Sequence, residues 1–275
     1  DEEWNPIEAF ACPFPSPIEH VIIINDLLIA TWIDRELLVA RMGAIRCTKP
    51  FQNGAKRGDV RKARNIQNAI QPAGVAWSHV LDAEPLGLAR HGDGFIFILW
   101  NRGVYSFQSN GVEQWRAPPP EWPDMKNIPM SQESVDICVT ESSIEIWSRA
   151  GGCCRLSKED GTLIGTGSFD LDGSLDKVEA IGSNRLLVLK NGHVYWYKQG
   201  KLLCEATTSG PIQSVLFNGE LNSWYLAGWR EELELMENDF KRCENQEVVV
   251  QHVRSNDQLW TVTNDGMMNH SFLTE

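Results

Sequence analysis

The chain has 275 residues and a formal net charge of −12, with 42% hydrophobic and 23% charged residues. This composition is globular, and the length allows a large core in one or two domains. The acidic balance disfavours nucleic acid as a partner, unless a local basic patch overrides it. No apolar run approaches the ~18 residues that a membrane helix needs, so no membrane span is predicted.

Seven cysteines are present, without a CxxC pair and without histidines at zinc-ligand spacing. Most of them lie in apolar runs, and we interpret them as buried, reduced thiols. This favours a reducing compartment and predicts a cytoplasmic location. A signal peptide removed upstream of Asp1 stays open as an alternative.

Short β-branched runs separated by turn residues begin near residue 18. The segment 18–42, IEHVIIINDLLIATWIDRELLVARM, predicts three strands. The pattern then breaks, and we interpret 43–72 as an insertion in this first unit. Within it, 61–70 carries neither Gly nor Pro and predicts a short helix. The segment 74–77, GVAW, predicts the outer strand of the unit.

A four-stranded meander is most evident in 87–115, GLARHGDGFIFILWNRGVYSFQSNGVEQW. Its strands are joined by tight turns rich in Gly, Asn and Asp. The same order recurs in 134–167, 176–206 and, more loosely, 211–245. The last segment, 247–275, supplies three strands.

The units recur at a spacing typical of propeller blades. The first turns of successive units lie at Asp26, Asp93, Ser142, Ser183, Asn222 and Asp257. A period near ~40 residues with four short strands is characteristic of a β-propeller blade. We predict an all-β, single-domain protein over 1–275, a six-bladed β-propeller with seven blades as the alternative. Residues 4–10 are expected to pair beside 267–273 and close the ring, which removes unpaired edges.

The segment 104–115, VYSFQSNGVEQW, resembles the repeat of the PQQ-like branch of β-propellers, relatives of the WD-repeat propellers. The resemblance implies that Trp115 docks between neighbouring sheets. Gly165, Cys204 and Cys243 stand at or near the corresponding place in other units. Propellers host many unrelated roles, so the resemblance implies the fold and leaves the function open.

A basic stretch inside the insertion is the strongest functional signal. Eight of the 25 basic residues fall within 41–64, against one acid, Asp59. The partner-binding candidates are Arg46, Lys49, Lys56, Arg57, Arg61, Lys62, Arg64 and, beside a proline run, Trp122. A positive loop on a negative body steers partners that carry negative charge. We therefore expect another protein, with an acidic or phosphate-bearing surface, as the partner.

Two local features invite a cofactor interpretation. Asp170, Asp172 and Asp176 resemble part of a calcium loop but lack the third early ligand, so they are weak metal candidates. The adjacent Cys153 and Cys154 are similar to the vicinal cysteines of PQQ-dependent alcohol dehydrogenases. Those enzymes need a ring of about twice this length, which disfavours PQQ, and no cofactor is predicted.

The motifs that mark common catalytic sites are absent, including GxSxG, HExxH, Walker and GxGxxG patterns. Glu231, Glu232 and Glu234 lie at strand-like spacing beside turns, which predicts surface carboxylates. The sequence favours a non-enzymatic protein-binding or scaffold propeller that presents a face of the ring and the basic loop. The alternative is a small-molecule-binding or hydrolytic propeller with its site on the central channel.

Overall fold

The computed structural model describes residues 11–35, 37–62, 71–255 and 258–274. The described residues form six antiparallel sheets, one short helix and two 3-10 turns. The chain divides into two compact units, the first with sheets one to three and the second with sheets four to six. The boundary lies between 167 and 168, although the short segments 128–130 and 149–151 group with the second unit.

The sheets of the first unit are three sequential meanders. Sheet one contains β1 (Ile18–Ile24), β2 (Leu27–Asp34), β3 (Val39–Arg46) and β4 (Val75–Leu81). Sheet two contains β5 (Pro85–His91), β6 (Gly94–Leu99), β7 (Gly103–Gln108) and β8 (Glu113–Ala117). Sheet three contains β9 (Ser134–Val139), β10 (Ile144–Ser148), β11 (Gly152–Leu156) and β12 (Leu163–Ser168). Helix α1 (Arg57–Lys62) lies between β3 and β4, and a 3-10 turn covers Pro123–Met125.

The second unit continues the same scheme. Sheet four contains β13 (Leu175–Ile181), β14 (Asn184–Leu189), β15 (His193–Lys198) and β16 (Lys201–Thr207). Sheet five contains β17 (Ser214–Asn218), β18 (Ser223–Gly228), β19 (Glu231–Met236) and β20 (Asp239–Glu244). Sheet six contains β21 (Val249–Ser255), β22 (Gln258–Thr263) and β23 (Met268–His270), and the 3-10 turn Phe272–Thr274 follows.

The second strand of a sheet is the most buried one. Every residue of β6, GFIFIL, is buried, and the same holds for β10 and β18. A strand that is covered on both faces is apolar throughout instead of alternating. First strands of neighbouring sheets lie side by side, β5 against β1 and β9 in the first unit, and β21 against β17 in the second. The core of each unit is therefore built between sheets.

A β-bulge recurs near the start of the first strand. The register between first and second strands shifts at this point in sheets one, two, three, four and six. An extra residue there increases the local twist of the strand. The same irregularity at the same place supports the interpretation of the sheets as copies of one repeating unit.

The strand predictions are confirmed, including the outer strand of sheet one at 74–77, which is β4. The predicted start of the insertion at 43 is wrong, because 43–46 pair with β2 as part of β3. The connection therefore covers 47–74. Of the predicted helix at 61–70, residues 63–70 lie outside the described residues, and α1 begins earlier, at Arg57. The predicted closing strand at 4–10 also lies outside them.

Trp115 docks between sheets two and three, as the repeat predicted. Its Nε1 donates a hydrogen bond to the backbone oxygen of Lys158, 3.3 Å away in the turn between β11 and β12. A Cβ added at Gly161 in that turn would come within 2.6 Å of the indole ring. The glycine thus leaves the space that the tryptophan fills.

Trp77 repeats this arrangement between sheets one and two. Its Nε1 donates to the backbone oxygen of Ser109 at 2.8 Å, and a Cβ at Gly111 would lie 2.8 Å from its ring. In the second unit a thiol takes the place of the indole. The Sγ of Cys204 lies 3.2 Å from the backbone oxygen of Asp239, in the next sheet. One docking geometry therefore serves tryptophan and cysteine.

Candidate functional site

Exposed apolar side chains mark the turn between the second and third strands in four of the six described sheets. In the first unit, Leu38 is 88% exposed and Trp100 is 55% exposed. In the second unit, Trp229 is 52% exposed and Met267 is 57% exposed. Each unit therefore presents a pair of such residues on neighbouring sheets. We call these four residues the apolar turn set.

Among the tryptophans that the structure describes, Trp100 and Trp229 are the two exposed ones. Trp32, Trp122, Trp147, Trp196 and Trp224 are all at most 1% exposed. Trp100 and Trp229 each follow the last residue of a fully buried second strand, so the chain places them just beyond the core. A half-exposed tryptophan leaves a large apolar area in water, and such residues are typical anchors of protein interfaces.

Leu38 is held in a left-handed conformation, with φ of 56°. A residue with a Cβ pays about 1–2 kcal/mol there, which is why Gly and Asn are favoured. Leu38 gains little in return from packing, because 88% of it is exposed. Strain of this kind at an exposed apolar residue is a feature of functional sites.

A groove of about 610 Å³ opens in the second unit. It is bounded by the loop before β13, the start of β15, the residues 205–209 at the end of β16, and β20. Its lining side chains with polar or aromatic character include Asp172, His193, Tyr195, Glu205, Phe240 and Arg242.

One wall of the groove is a network of three side chains. The carboxylate of Asp172 lies 2.5 Å from His193 Nδ1 and accepts a hydrogen bond of 2.8 Å from the Tyr195 hydroxyl. His193 and Tyr195 lie two residues apart on β15, so they share a face of the strand. Burial, followed by the hydrogen bond to Asp172, raises the pKa of Tyr195 to about 12. The hydroxyl therefore stays protonated and acts as a donor.

The opposite wall carries a guanidinium that is already paired. Arg242 Nε lies 3.4 Å from Glu231 Oε2, and Arg242 also donates a hydrogen bond to the backbone oxygen of Thr207. Glu231 is 2% exposed, and its Oε1 accepts a hydrogen bond of 2.5 Å from the backbone N–H of Ser209. The guanidinium also lies 5.7 Å from the ring centre of Phe240. Arg242 is thus held in place by the protein itself.

A buried polar network lies elsewhere in the second unit, around Glu232. Its Oε2 accepts hydrogen bonds from His252 Nε2 at 2.9 Å, Thr261 Oγ1 at 2.8 Å and Ser271 Oγ at 2.5 Å. Its Oε1 accepts a fourth, of 3.3 Å, from Asn245. The three donors to Oε2 come from β21, β22 and the segment after β23, so one carboxylate joins sheet five to sheet six.

The prediction that Glu231, Glu232 and Glu234 are surface carboxylates is wrong, since they are 2%, 0% and 9% exposed. Burial raises the pKa of Glu232, but its hydrogen bonds from His252, Ser271 and Thr261 lower it by more. The resulting pKa lies below the ordinary value of 4.5, so the buried carboxylate is ionised at neutral pH. Since Glu232 and His252 have no solvent access, the network stabilises the sheet pair and is not a site for ligands.

The predicted basic candidates are spread along the connection between β3 and β4. Arg46 ends β3 and forms a 2.6 Å ion pair with Asp26. Lys49, Lys56, Arg61 and Lys62 are exposed. The side chain of Arg57 and the whole of Arg64 lie outside the described residues. Their role in partner binding stays a prediction.

Trp122 was a partner-binding candidate because of its proline-rich context. In the structure its side chain is buried, with 1% exposure. A Cβ added at Gly152 would lie 2.5 Å from its ring, which shows how closely Trp122 packs on β11. The side-chain amide of Gln132 binds its backbone N–H and C=O, at 3.0 and 2.9 Å. Trp122 therefore contributes to packing within the first unit.

The aspartates proposed as weak metal candidates do not form a cluster of ligands in the described residues. Asp172 is engaged by His193 and Tyr195, as described above. In the described part of the chain, no group of three or more His, Cys, Asp or Glu side chains is placed to hold a metal ion. Cys153 and Cys154 are buried, and burial raises the pKa of the Cys154 thiol to about 11. Within the described residues, no helix is long and apolar enough to cross a membrane.

Neither the apolar turn set nor the groove was predicted from the sequence. The run HVYWY at 193–197 held a signal for the groove, because alternate residues of a strand share a face. The exposure of Trp100 was signalled by its position just after the apolar run FIFIL. The contribution of Arg242 to the groove could not be predicted from the sequence, because its hydrogen bond to Thr207 joins β20 of sheet five to β16 of sheet four.

Comparisons with known proteins support the fold. No protein-family model and no curated protein matches the chain. Among solved structures, the computationally designed Ika8 protein matches with a TM-score of 0.61 and 9% identity, over 90% of this chain and 68% of that chain. BamB from Moraxella catarrhalis matches with a TM-score of 0.55 and 10% identity, over 90% and 70%. The WD40 β-propeller domain of Doa1 matches with a TM-score of 0.57 and 10% identity, over 90% and 76%.

These identities are low, so the matches inform on the fold alone. They confirm the predicted resemblance to PQQ-like and WD-repeat β-propellers at the level of the fold.

Proposed function

We propose that the chain is a non-enzymatic protein-binding scaffold, a six-bladed β-propeller that meets a protein partner through one face of the ring. The contact surface is the end of the sheets that carries the turns between second and third strands. In a β-propeller the blades are arranged radially, so equivalent turns of its blades open on the same face. The observation that carries the proposal is the half-exposed tryptophan at that turn in each unit, Trp100 and Trp229.

A partner that covers the apolar turn set would remove its exposed apolar area from water, which favours binding. Tryptophan is enriched among the few residues that dominate binding energy, and truncating such an anchor costs about 2 kcal/mol or more. Isolated exposed apolar residues are common on protein surfaces and need no explanation. Four of them at one structurally equivalent turn, one of them strained, form a pattern that favours an interface.

The basic connection between β3 and β4 supplies the second part of the proposal. Lys49, Lys56 and Lys62 are exposed there on a chain whose net charge is −12. Such a local positive patch steers an acidic or phosphate-bearing partner surface and accelerates encounter more than it tightens binding. The alternative of a small-molecule or hydrolytic site on the axis of the ring stays a prediction.

The test is a quantitative recovery of partners by tagged protein from its native cells after mild cross-linking. The turn variant is Leu38→Asn, Trp100→Ser, Trp229→Ser and Met267→Ser. The control variant is Val112→Ser and Leu221→Ser, which changes residues that are 55% and 67% exposed at turns on the other end of the sheets.

The proposal predicts that the turn variant recovers at least about tenfold less of the partner than the unmodified protein does, while the control variant recovers as much. Neither variant should be less thermally stable than the unmodified protein. A turn variant that recovers every partner at the level of the unmodified protein would contradict the proposal. A third variant, Lys49→Gln with Lys56→Gln and Lys62→Gln, is expected to slow association and reduce its salt dependence.

A further inference from the structure

Among the described residues, one charged side chain that lines the groove of the second unit lacks a hydrogen-bond or ion-pair partner. Asp172 is engaged by His193 and Tyr195, and Arg242 is engaged by Glu231. The carboxylate of Glu205 makes no hydrogen bond or ion pair with any residue that the structure describes. A lone carboxylate at the edge of a groove is a favourable partner for a cation.

Two aromatic rings accompany this carboxylate. Tyr195 lies directly across from Glu205 in the pairing of β15 with β16, and Phe240 lines the groove from β20. The faces of aromatic rings attract cations, and a planar guanidinium also stacks on them. Glu205 and these two rings therefore form a site suited to a basic side chain.

The fixed groups make the groove selective. Arg242 is held at its wall by the buried Glu231, so its own charge is largely compensated and does not repel a cation as a free arginine would. An acidic ligand would be repelled by the carboxylates of Asp172 and Glu205, which both line the groove. The volume of about 610 Å³ accommodates a basic side chain with its flanking backbone.

We infer that this groove binds an arginine side chain presented by an extended segment of a protein partner, with its guanidinium against Glu205 and the ring of Tyr195. The inference deepens the proposed function and rests on it for the nature of the ligand. The position of the groove fits the proposed contact surface, because Trp229 packs beside the groove. A Cβ at Gly210, next to the groove residue Ser209, would lie 2.6 Å from the Cβ of Trp229. A partner that covers Trp229 therefore reaches the groove.

The inference is tested on the full chain by NMR titration with N-acetyl-arginine amide, using N-acetyl-glutamine amide as the uncharged probe. We expect saturable shifts of the backbone amides of 205–209 with the arginine probe only. Glu205→Gln should weaken this binding at least about fivefold. The matched control Glu237→Gln removes the same charge from an exposed turn of the same unit and should change it less than twofold.

Equal weakening by both variants would show unspecific attraction to an acidic protein and would overturn the inference. So would shifts of equal size with the glutamine probe, or no shift at 205–209. Because this experiment contains no partner protein, its failure is separate from the failure of the proposed function, which the turn variant tests.

Discussion

The buried carboxylate of Glu232 offers the sharpest test of how the second unit is held together. The perturbation is Glu232→Gln, which keeps the shape of the side chain and removes its charge. Glu232 is 0% exposed and accepts four hydrogen bonds, three of them at one oxygen. An amide offers one acceptor oxygen and places an NH₂ group against the remaining donors.

The magnitude follows from the donors that lose a partner. The hydroxyls of Thr261 and Ser271 can rotate and accept from the new amide, whereas the ring of His252 is fixed on β21. Hydrogen bonds to charged groups contribute about 1.5–3 kcal/mol each. We expect a loss of about 3 kcal/mol, which corresponds to about 6–12 °C in melting temperature for a domain of this size.

The assay is urea denaturation with amide hydrogen exchange on β19 and β22, measured as a function of pH. The pKa of Glu232 is lowered in the folded state, so its contribution is complete above about pH 4.5 and disappears as the pH falls through the lower folded-state value. The difference between the native protein and Glu232→Gln should therefore be largest at neutral pH and should shrink below pH 4.5.

The control is Glu237→Gln, which removes one exposed charge from the turn between β19 and β20. We expect it to change stability by less than about 0.5 kcal/mol. The reasoning is refuted if Glu232→Gln costs no more than this control, or if its cost does not depend on pH in the acidic range.

Three further predictions concern the repeat contacts, the strained turn and the buried thiols. Trp115→Ala should cost about 2 kcal/mol in urea denaturation, and Gly161→Ala should cost over about 1 kcal/mol because its Cβ would meet the indole ring. In the double variant the indole ring is gone, so the added Cβ at 161 no longer clashes with it and a double-mutant cycle should show coupling. Costs that simply add would contradict the docking geometry. Leu38→Asn should raise stability by about 0.5–1 kcal/mol, since Asn tolerates a φ of 56°, and an unchanged or lower melting temperature would count against strain there. In the folded protein at pH 7.5, iodoacetamide should alkylate the exposed Cys12 well before Cys154, whose pKa is raised to about 11 by burial, as peptide mass spectrometry can measure; equal rates would contradict that burial.

The fold was largely readable because its signals are local. Apolar runs between Gly- and Asn-rich turns located the strands, and the tryptophan of 104–115 indicated how neighbouring sheets dock. The insertion boundary was misplaced because β3 ends in Gly-Ala-Ile-Arg, and a glycine at 43 reads as a turn. In the structure Gly43 lies within β3 opposite Ala30, and a Cβ added there would come within 3.2 Å of the Trp32 ring.

The site was less readable because its signals depend on contacts between sheets. Glu232 follows a turn and sits in the run EELEL, which by itself indicates a surface strand. Its burial is favourable because residues distant in the chain, including His252 and Thr261 of sheet six, donate hydrogen bonds to it. Trp122 was a partner-binding candidate because prolines flank it, yet its side chain is buried and Gly152 leaves a space for its ring. The groove joins Asp172 to Arg242, and no local pattern connects residues that far apart in the chain.

The central claim is that a protein partner covers the turns between second and third strands. Hydroxyl-radical footprinting of the purified complex against the free protein measures this directly, because exposed Trp and Met side chains oxidise quickly. We expect oxidation of Trp100, Trp229 and Met267 to slow at least fivefold in the complex. Unchanged rates at these three residues, with slower oxidation confined to Leu221 and Val112 at the opposite turns, would contradict the claim.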